Sequence, residues 1–165
     1  MRESIGVLSI FSIVMTFIVL FVSYLAVSIN YANAFRVKNN LISAIENREG
    51  IANTDVDVLN DLLVNQRYDT FGKCPTLNDL GGEWLSATRM LIGEYNGKAR
   101  ACIYKREVSS SGGLGSNVKC PIAYYKVIVF FKMDLPVLGD LLSLPVKGDT
   151  RGVYDRISTD CVETA

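Results

Sequence analysis

The stretch Ile5–Ile29, with the sequence IGVLSIFSIVMTFIVLFVSYLAVSI, decides the fold of this chain. It runs for 25 residues without an acidic or basic side chain. A helix rises about 1.5 Å per residue, so a helix of this length exceeds the roughly 30 Å hydrocarbon core of a bilayer. The stretch therefore predicts a transmembrane helix near the amino terminus.

A cleaved secretory signal is the alternative interpretation of this stretch. Ala32-Asn33-Ala34 has the small-x-small form of a signal-peptidase site, and cleavage there would release the rest of the chain. The apolar region of a cleaved signal is normally about 7–15 residues long, which is well short of this run. The length of the run therefore favours a retained anchor.

The flanking charges do not fix the orientation of the anchor, because Arg2 precedes it and Arg36 and Lys38 follow it. The cysteines are more informative. All four follow the anchor, and an even number in a small domain suits an oxidising compartment. We therefore expect a single pass through the cell membrane, with a cytoplasmic amino terminus and a C-terminal domain that is extracytoplasmic or on the cell surface.

The helix is predicted to continue beyond the membrane. Apolar residues recur at helical spacing from Ala34 to Ile45, and Gly50 is a typical helix stop. We expect residues 1–50 to form a transmembrane and stalk helix that ends near Glu49. Residues 51–165 then form one extracytoplasmic α+β domain.

The first part of this domain carries one clear helix signal. Thr54 and Asp57 have the spacing of a capping box, and apolar residues recur after them up to Gln66. Residues 68–78 contain Gly72 and Pro75 and are predicted to form a loop. Residues 80–92 are ambiguous between a helix and irregular structure.

The rest of the domain is predicted to be β-structure. Residues 91–95 and 99–108 flank Asn96-Gly97, a dipeptide that favours a tight hairpin turn. The Ser/Gly-rich residues 109–117 are predicted to form a mobile loop.

Two further strands are expected after this loop. Residues 122–133 (IAYYKVIVFFKM) are typical of a central strand, and residues 144–157, which include Pro145, are typical of an edge strand. The predicted fold class is α+β: a long N-terminal transmembrane helix that continues into a stalk helix packed on a small antiparallel sheet.

Composition excludes several classes of function. Lys plus Arg equals Asp plus Glu, at 17 each, so the chain lacks the strong positive field that recruits nucleic acid. It contains no histidine, the usual general base and the commonest metal ligand. We therefore predict a protein that is not an enzyme and that has no cofactor, no metal site and no nucleic-acid partner.

Two local motifs have ordinary structural explanations. Gly112–Ser116 lacks the Gly-Lys-Ser/Thr ending of a phosphate-binding loop. Asp55, Asp57 and Asp61 lack the glycine and the final glutamate of a calcium loop, and they are expected to cap and solvate a helix start.

The cysteines Cys74, Cys102, Cys120 and Cys161 include no C-x-x-C pair, which argues against a redox pair or a zinc ribbon. We interpret them as structural disulfides. Four cysteines allow three connectivities, and sequence alone does not choose among them. We favour Cys102 with Cys120 around the Ser/Gly loop, and Cys74 with Cys161.

Small and hydroxylated side chains in the membrane segment allow helices to approach closely. The candidate helix-packing residues that begin this segment, together with the acid that precedes it, are Glu3, Gly6, Ser9, Ser12 and Thr16. Ser23 extends the same set.

This plan, a transmembrane helix extended as an amphipathic helix into a small disulfide-bearing α+β domain, resembles type IV pilins and pseudopilins. The stretch Tyr124–Phe131, followed by Leu135-Pro136 and a last short strand, is similar to the C-terminal part of TadE-like pseudopilins of tight-adherence pilus systems. The resemblance covers residues 1–50 and 121–165.

The resemblance implies a non-enzymatic pilin-like subunit that takes part in assembly of a pilus or a surface or secretion apparatus. Its partners would be membrane lipid and other pilin-like subunits or copies of itself. Family precursors are typically cut after a glycine, which leaves glutamate at the fifth mature position. Here Phe11 is the fifth residue after Gly6 and Glu3 precedes it, so Glu3 would act in an unprocessed chain. The alternative is a membrane-tethered binding or scaffold domain that does not polymerise.

Overall fold

The computed structural model describes residues 2–52, 55–108, 118–119, 121–135, 139–154 and 162–163. For residues 2–8, 118–119, 133–135, 139–142 and 162–163, only the backbone is described. The helices are α1 (Arg2–Asn47) and α2 (Val56–Asn65), and short 3-10 turns span Leu77–Leu80 and Gly82–Trp84. The strands are β1 (Thr88–Ile92), β2 (Ala101–Val108), β3 (Val118–Lys119), β4 (Ile122–Leu135), β5 (Gly139–Asp149), β6 (Val153–Tyr154) and β7 (Val162–Glu163). This α+β architecture confirms the predicted fold class.

Helix α1 is continuous for 46 residues, so it is about 70 Å long at 1.5 Å per residue. Its C-terminal part is the predicted stalk, and the apolar stripe predicted from Ala34 to Ile45 is buried. The helix ends where predicted: the Gly50 N–H donates to the Ile45 carbonyl at 3.3 Å, and Gly50 has a φ of 124°. Glycine adopts this conformation without a steric penalty, which explains the stop at this residue.

The main sheet is antiparallel, with strand order β1-β2-β4-β5, and β6 pairs with the start of β4. Strand β4 is central, as predicted, because it pairs with β2 on one side and β5 on the other. Strand β5 is an edge strand and carries Pro145 opposite Phe130. A proline is tolerated there because an edge strand has one side without ladder hydrogen bonds.

The turn between β1 and β2 is centred on Asn96 and Gly97, as predicted. Both have a positive φ, of 51° and 71°. Tyr95 and Lys98 exchange backbone hydrogen bonds of 2.8 and 3.0 Å across the turn. Positive φ at both central residues matches the right-handed twist of the two strands, so the dipeptide fixes the hairpin register.

Two layers of chain cover the sheet. On one face, α1 and α2 pack on a core that includes Leu41, Leu63 and Val127. On the other face, the segment with the 3-10 turns packs on a second cluster, which includes Trp84 and Phe130. We call the chain from Ile51 onward the head. The stalk part of α1 is therefore a structural part of the head's core.

Several boundaries differ from those predicted. Strand β1 spans Thr88–Ile92 and not residues 91–95, and the predicted edge strand 144–157 is divided into β5 and β6. The N-cap of α2 is Asp55, so the predicted capping box with Thr54 as N-cap is wrong. The carboxylate of Asp55 accepts from the Ala52 N–H at 3.0 Å, and Thr54 itself lies outside the described residues. A capping box occurs instead between Thr76 and Asp79. The ambiguous residues 80–92 form 3-10 structure followed by β1. Strand β5 begins at Gly139, five residues earlier than expected, and the predicted loop at 109–117 lies outside the described residues.

Gly72 allows a close approach between the loop before the 3-10 turns and the sheet. A Cβ added at Gly72 would overlap the ring of Phe130, which is 2% exposed, whereas a Cβ at Gly82 would meet nothing within 4 Å. We expect Gly72→Ala to lower the free energy of unfolding by about 1–3 kcal/mol, because the core cannot make room for the methyl group. Gly82→Ala is the matched control and should change it by less than about 0.5 kcal/mol.

The measurement for this pair is urea unfolding of the full-length protein in nanodiscs, followed by the emission of Trp84, the single tryptophan of the chain. Equal unfolding midpoints for the two alanine variants would contradict the close packing at Gly72.

Candidate functional site on the apolar half of the long helix

The N-terminal half of α1 projects away from the head. Every residue from 9 to 22 is exposed, including Ile13 at 66% and Phe17 at 70%. Among the described residues, α1 is the one helix that is long and apolar enough to cross a membrane, by its length and composition. No residue of its most apolar 18-residue stretch is buried. An exposed apolar surface of this size indicates an interaction with lipid or with other apolar surfaces.

Hydroxyl groups along this half of the helix are hydrogen-bonded within the helix. Thr16 Oγ1 donates to the Ser12 carbonyl at 2.9 Å, Ser23 Oγ donates to the Val19 carbonyl at 2.8 Å, and Ser28 Oγ bonds to its helix in the same way at 2.9 Å. In hydrocarbon an unsatisfied donor costs several kcal/mol, so these bonds make the hydroxyls tolerable there. Each hydroxyl oxygen keeps its capacity to accept a hydrogen bond from a neighbour.

Ser12 and Thr16 lie in a shallow groove along the helix surface. Larger side chains border this groove, namely Phe11, Met15, Val19 and Leu20. Two small or hydroxylated residues four positions apart let a second helix approach closely, since the ridge of one helix fits between the ridges of the other. Chemically, the groove can pack against an apolar helix but offers no charged group.

The hydroxyl-bearing residues continue the stripe that binds the stalk to the sheet. Ser9, Ser12, Thr16 and Ser23 follow one another at spacings of three, four and seven residues, which keep them on one helix face. The same spacings lead from Ser23 into partly or fully buried residues of the stalk: Val27, Asn30, Ala34, Val37, Leu41 and Ile45. The groove therefore faces the side of the helix on which the head lies. The sequence carries this signal as one uninterrupted helical period that crosses the predicted membrane boundary.

The predicted helix-packing residues are only partly brought together. Ser9, Ser12 and Thr16 share one face, whereas ideal helix geometry places the backbone of Glu3 about half a turn around the helix from Ser12. Gly6 lies between them along the helix. A single flat interface therefore does not include both Glu3 and Ser12.

The structure pairs Cys74 with Cys102, with Cα atoms 5.9 Å apart. The pairing of Cys102 with Cys120 and of Cys74 with Cys161 is therefore wrong. The register explains the error: Cys102 lies opposite Ile128, whereas the start of β4 at Ile122 lies opposite Val108, at the far end of β2. The disulfide ties the segment that covers the second face to strand β2.

The remaining cysteines, Cys120 and Cys161, lie outside the described residues, but each is adjacent in sequence to a paired strand. Val118 pairs with Glu163 and Lys119 pairs with Val162. Because Cys74 and Cys102 are paired, we predict that the second disulfide joins Cys120 and Cys161. Peptide mapping of the non-reduced protein should recover these two cysteines in one linked peptide. A linked peptide that joins either one to another chain would contradict the prediction.

The acidic and glycine-rich motifs of the sequence do not form a metal-binding cluster in the part of the chain that the structure describes. No three His, Cys, Asp or Glu residues are placed there to hold a metal ion. Asp55 pairs with Arg48 at 3.7 Å and occupies the N-cap position of α2 without a side-chain capping bond, and the Gly112–Ser116 motif lies outside the described residues. Burial raises the pKa of Tyr68, whose hydroxyl donates to the Phe130 carbonyl, so this tyrosine is a neutral structural donor.

The candidate site is therefore the exposed apolar surface of α1, with its groove at Ser12 and Thr16. Comparison of the chain with protein-family models, with curated proteins and with solved structures gives no match, so the interpretation of this surface depends on its own geometry.

Proposed function

We propose that this protein is a non-enzymatic pilin-like or pseudopilin-like (TadE-like) subunit that takes part in the assembly of a pilus or a surface or secretion apparatus. In this proposal α1 anchors it in the cell membrane, with the amino terminus in the cytoplasm and the head on the extracytoplasmic side. The mechanism is assembly through helix packing in the membrane and protein contacts outside it.

The observation that carries the proposal is the division of one unbroken helix into two halves with opposite surroundings. Ala34, Leu41 and Ile45 are buried against the sheet, whereas residues 9–22 are exposed on every side of the helix. A helix that is apolar all round is stable only in lipid or among other helices. Such a subunit presents a membrane helix for assembly and a compact head for contacts outside the membrane.

The groove at Ser12 and Thr16 supports packing between helices. Lipid tails are as apolar as the helix surface, so helices associate in membranes through close packing and hydrogen bonds, and small residues make the close packing possible. The groove offers both features at one place, because Thr16 keeps its hydroxyl oxygen as an acceptor.

One observation favours the alternative, a membrane-tethered binding or scaffold domain that does not polymerise. The hydroxyls of Thr16, Ser23 and Ser28 are already bonded within the helix, so they do not require a partner helix. A helix of this composition is stable as a single anchor in lipid.

Photo-crosslinking in the native membrane separates the two functions. A photoreactive phenylalanine analogue is placed at Phe11, which borders the groove, and in a matched variant at Phe17, which does not. Both positions carry phenylalanine in the natural chain, so the perturbation is small. We expect crosslinks from Phe11 to a second copy or to another single-pass subunit, and few such crosslinks from Phe17.

A groove-filling pair tests the same face without a probe. Ser12→Leu with Thr16→Leu fills the groove, whereas Val14→Phe with Ile18→Phe also enlarges two side chains, about half a turn away. We expect the first pair to shift the detergent-solubilised protein towards the monomer and to abolish filaments in electron micrographs. A wild-type protein that is strictly monomeric in membranes, with no crosslinks from Phe11, would overturn assembly and leave the tether.

A further inference from the structure

Contacts between the head and α1 show which part of the head lies at which height along the helix. A Cβ at Gly148 would meet Lys38 Cδ at 2.7 Å and Ile42 Cδ1 at 2.9 Å, and Gly148 pairs with Val127 of β4. Further down, Asn30 Nδ2 donates to the Lys132 carbonyl at 3.2 Å. Strand β4 therefore runs down the helix, from the stalk towards the amino-terminal half of α1.

The ring of Phe131 contacts Tyr31 edge-on, with ring centroids 5.6 Å apart. This contact places the lower part of β4 beside the end of the apolar run Ile5–Ile29.

The hairpin of β4 and β5 extends beyond this point. Leu135 pairs with Gly139 at its closed end, and Leu135 is three residues past Lys132. Three strand residues span about 10 Å, which equals about six or seven residues of helix. The closed end thus reaches the level of Ser23, inside the uncharged run.

The exposure of α1 agrees with this reach. Residues 9–22 are uniformly exposed, but Ser23 and the three residues from Ala26 to Ser28 are partly buried, and Val27 packs against the main core. Tyr24, on another side of the helix, is 68% exposed. The head therefore covers one face of the helix down to about Ser23.

The position of the membrane boundary makes this overlap informative. Counted from Ile5 in the proposed anchor, about 20 residues of helix cross the roughly 30 Å hydrocarbon core, so the last residues of the apolar run Ile5–Ile29 lie in the headgroup region. Tyr24 and Tyr31 are exposed near this level, and such aromatic side chains are typical of the membrane–water interface. A hairpin that reaches Ser23 therefore meets the boundary between headgroups and acyl chains.

The residues near the closed end of the hairpin suit a position at the boundary between headgroups and acyl chains. Near the closed end the two strands carry the apolar residues Leu135, Leu141 and Leu142. The charged residues are Lys132, Asp134 and Asp140, and Asp134 pairs with Asp140 one position above Leu135. Carboxylates resist entry into hydrocarbon but are hydrated among headgroups, so they limit the depth of insertion.

We propose that the closed end of the β4–β5 hairpin, where Leu135 pairs with Gly139, inserts into the headgroup and acyl-chain boundary and is a second membrane contact. This inference depends on the proposed role of α1 as a membrane anchor. The occupant of the apolar hairpin end is lipid, because the hairpin lies along the same helix that enters the bilayer.

Tryptophan quenching by brominated lipids in nanodiscs tests the proposal with the full chain. Trp84 stays in place as a reference, since its ring lies under Lys126 Nζ, at 4.4 Å from the ring centroid, near the upper end of β4. A second tryptophan is added as Leu135→Trp or, as an independent variant on the other strand, Leu141→Trp. Phe17→Trp is the control for the anchor, and Tyr154→Trp, exposed at the opposite end of the sheet, is the control for the aqueous side.

We expect the emission added at residue 135 or 141 to be lost with lipids brominated near the glycerol backbone and retained with lipids brominated near the chain end. The emission added at residue 17 should be lost mainly with chain-end bromine, and that of Trp84 and of residue 154 should be retained with both.

Three outcomes would overturn the inference. If residues 135 and 141 are unquenched while residue 17 is quenched, the hairpin is outside the membrane although the anchor stands. If the emission added at residues 135 and 141 is unquenched and strongly blue-shifted, protein such as a second copy covers the hairpin. If residue 17 is itself unquenched, the anchor and the proposed function fail together with the hairpin contact.

Discussion

Leu41→Asp should unfold the head while the apolar half of α1 stays in the membrane. Leu41 is 2% exposed in the main core, so the variant loses leucine packing and buries a carboxylate without a partner. These two effects together cost about 4–5 kcal/mol or more. A domain is typically stable by only about 5–15 kcal/mol, so most of the stability of the head would be lost. Urea unfolding in nanodiscs, read by Trp84 emission and by limited proteolysis, measures this loss.

Ser43→Asp is the control for this variant. It adds the same charge to the same stalk, two residues away on an exposed face, and should change the free energy of unfolding by less than about 0.5 kcal/mol. Resistance of both variants to carbonate extraction from membranes would show that the anchor is unaffected. Equal stability of the two variants would contradict a stalk that packs into the core of the head.

Loss of the Cys74–Cys102 disulfide should have the second largest effect. The two cysteines are 28 residues apart in sequence, and the chain entropy released by opening a loop of this size corresponds to about 3–4 kcal/mol. Cys102 is fully buried beneath the segment that the disulfide holds. Cys74→Ala with Cys102→Ala should therefore lower the urea midpoint strongly, and the segment around Trp84 should become accessible to protease first.

A background without the other two cysteines isolates this bond. In Cys120→Ala with Cys161→Ala, reductant can open only the Cys74–Cys102 disulfide, so reduction should reproduce the loss of the double alanine variant. An unfolding midpoint in this background that does not respond to reductant would contradict the assigned pair.

The features that could be predicted from the sequence are those with a local cause. The helical spacing of apolar residues from Ala34 to Ile45 is a property of one helix, and the turn at Asn96-Gly97 depends on the backbone preferences of two residues. Strand β4 was evident from its β-branched and aromatic residues. Each of these predictions needed no knowledge of which segments meet in space.

The features that were missed depend on tertiary register. Cys74 bonds to Cys102 because the segment with the 3-10 turns crosses the second face of the sheet, and no pattern in residues 68–92 indicated that crossing. The reach of the hairpin to Ser23 depends on the pairing of Lys132 with Asn30, a contact across 102 residues of chain. The helix-packing groove was predicted in part, because Ser12 and Thr16 were named, but its alignment with the head required the continuous helix.

The absence of a break in α1 has a mechanical consequence. In the proposed anchored state, a tilt of the membrane-spanning half of α1 tilts the head by the same angle, because the helix has no joint. From Asn30 to Asn47 the helix is about 26 Å long, so a tilt of about 20°, the average for membrane helices, moves its far end sideways by about 9 Å. Bilayer thickness influences this tilt and would thereby change the sideways position of the far end of the head.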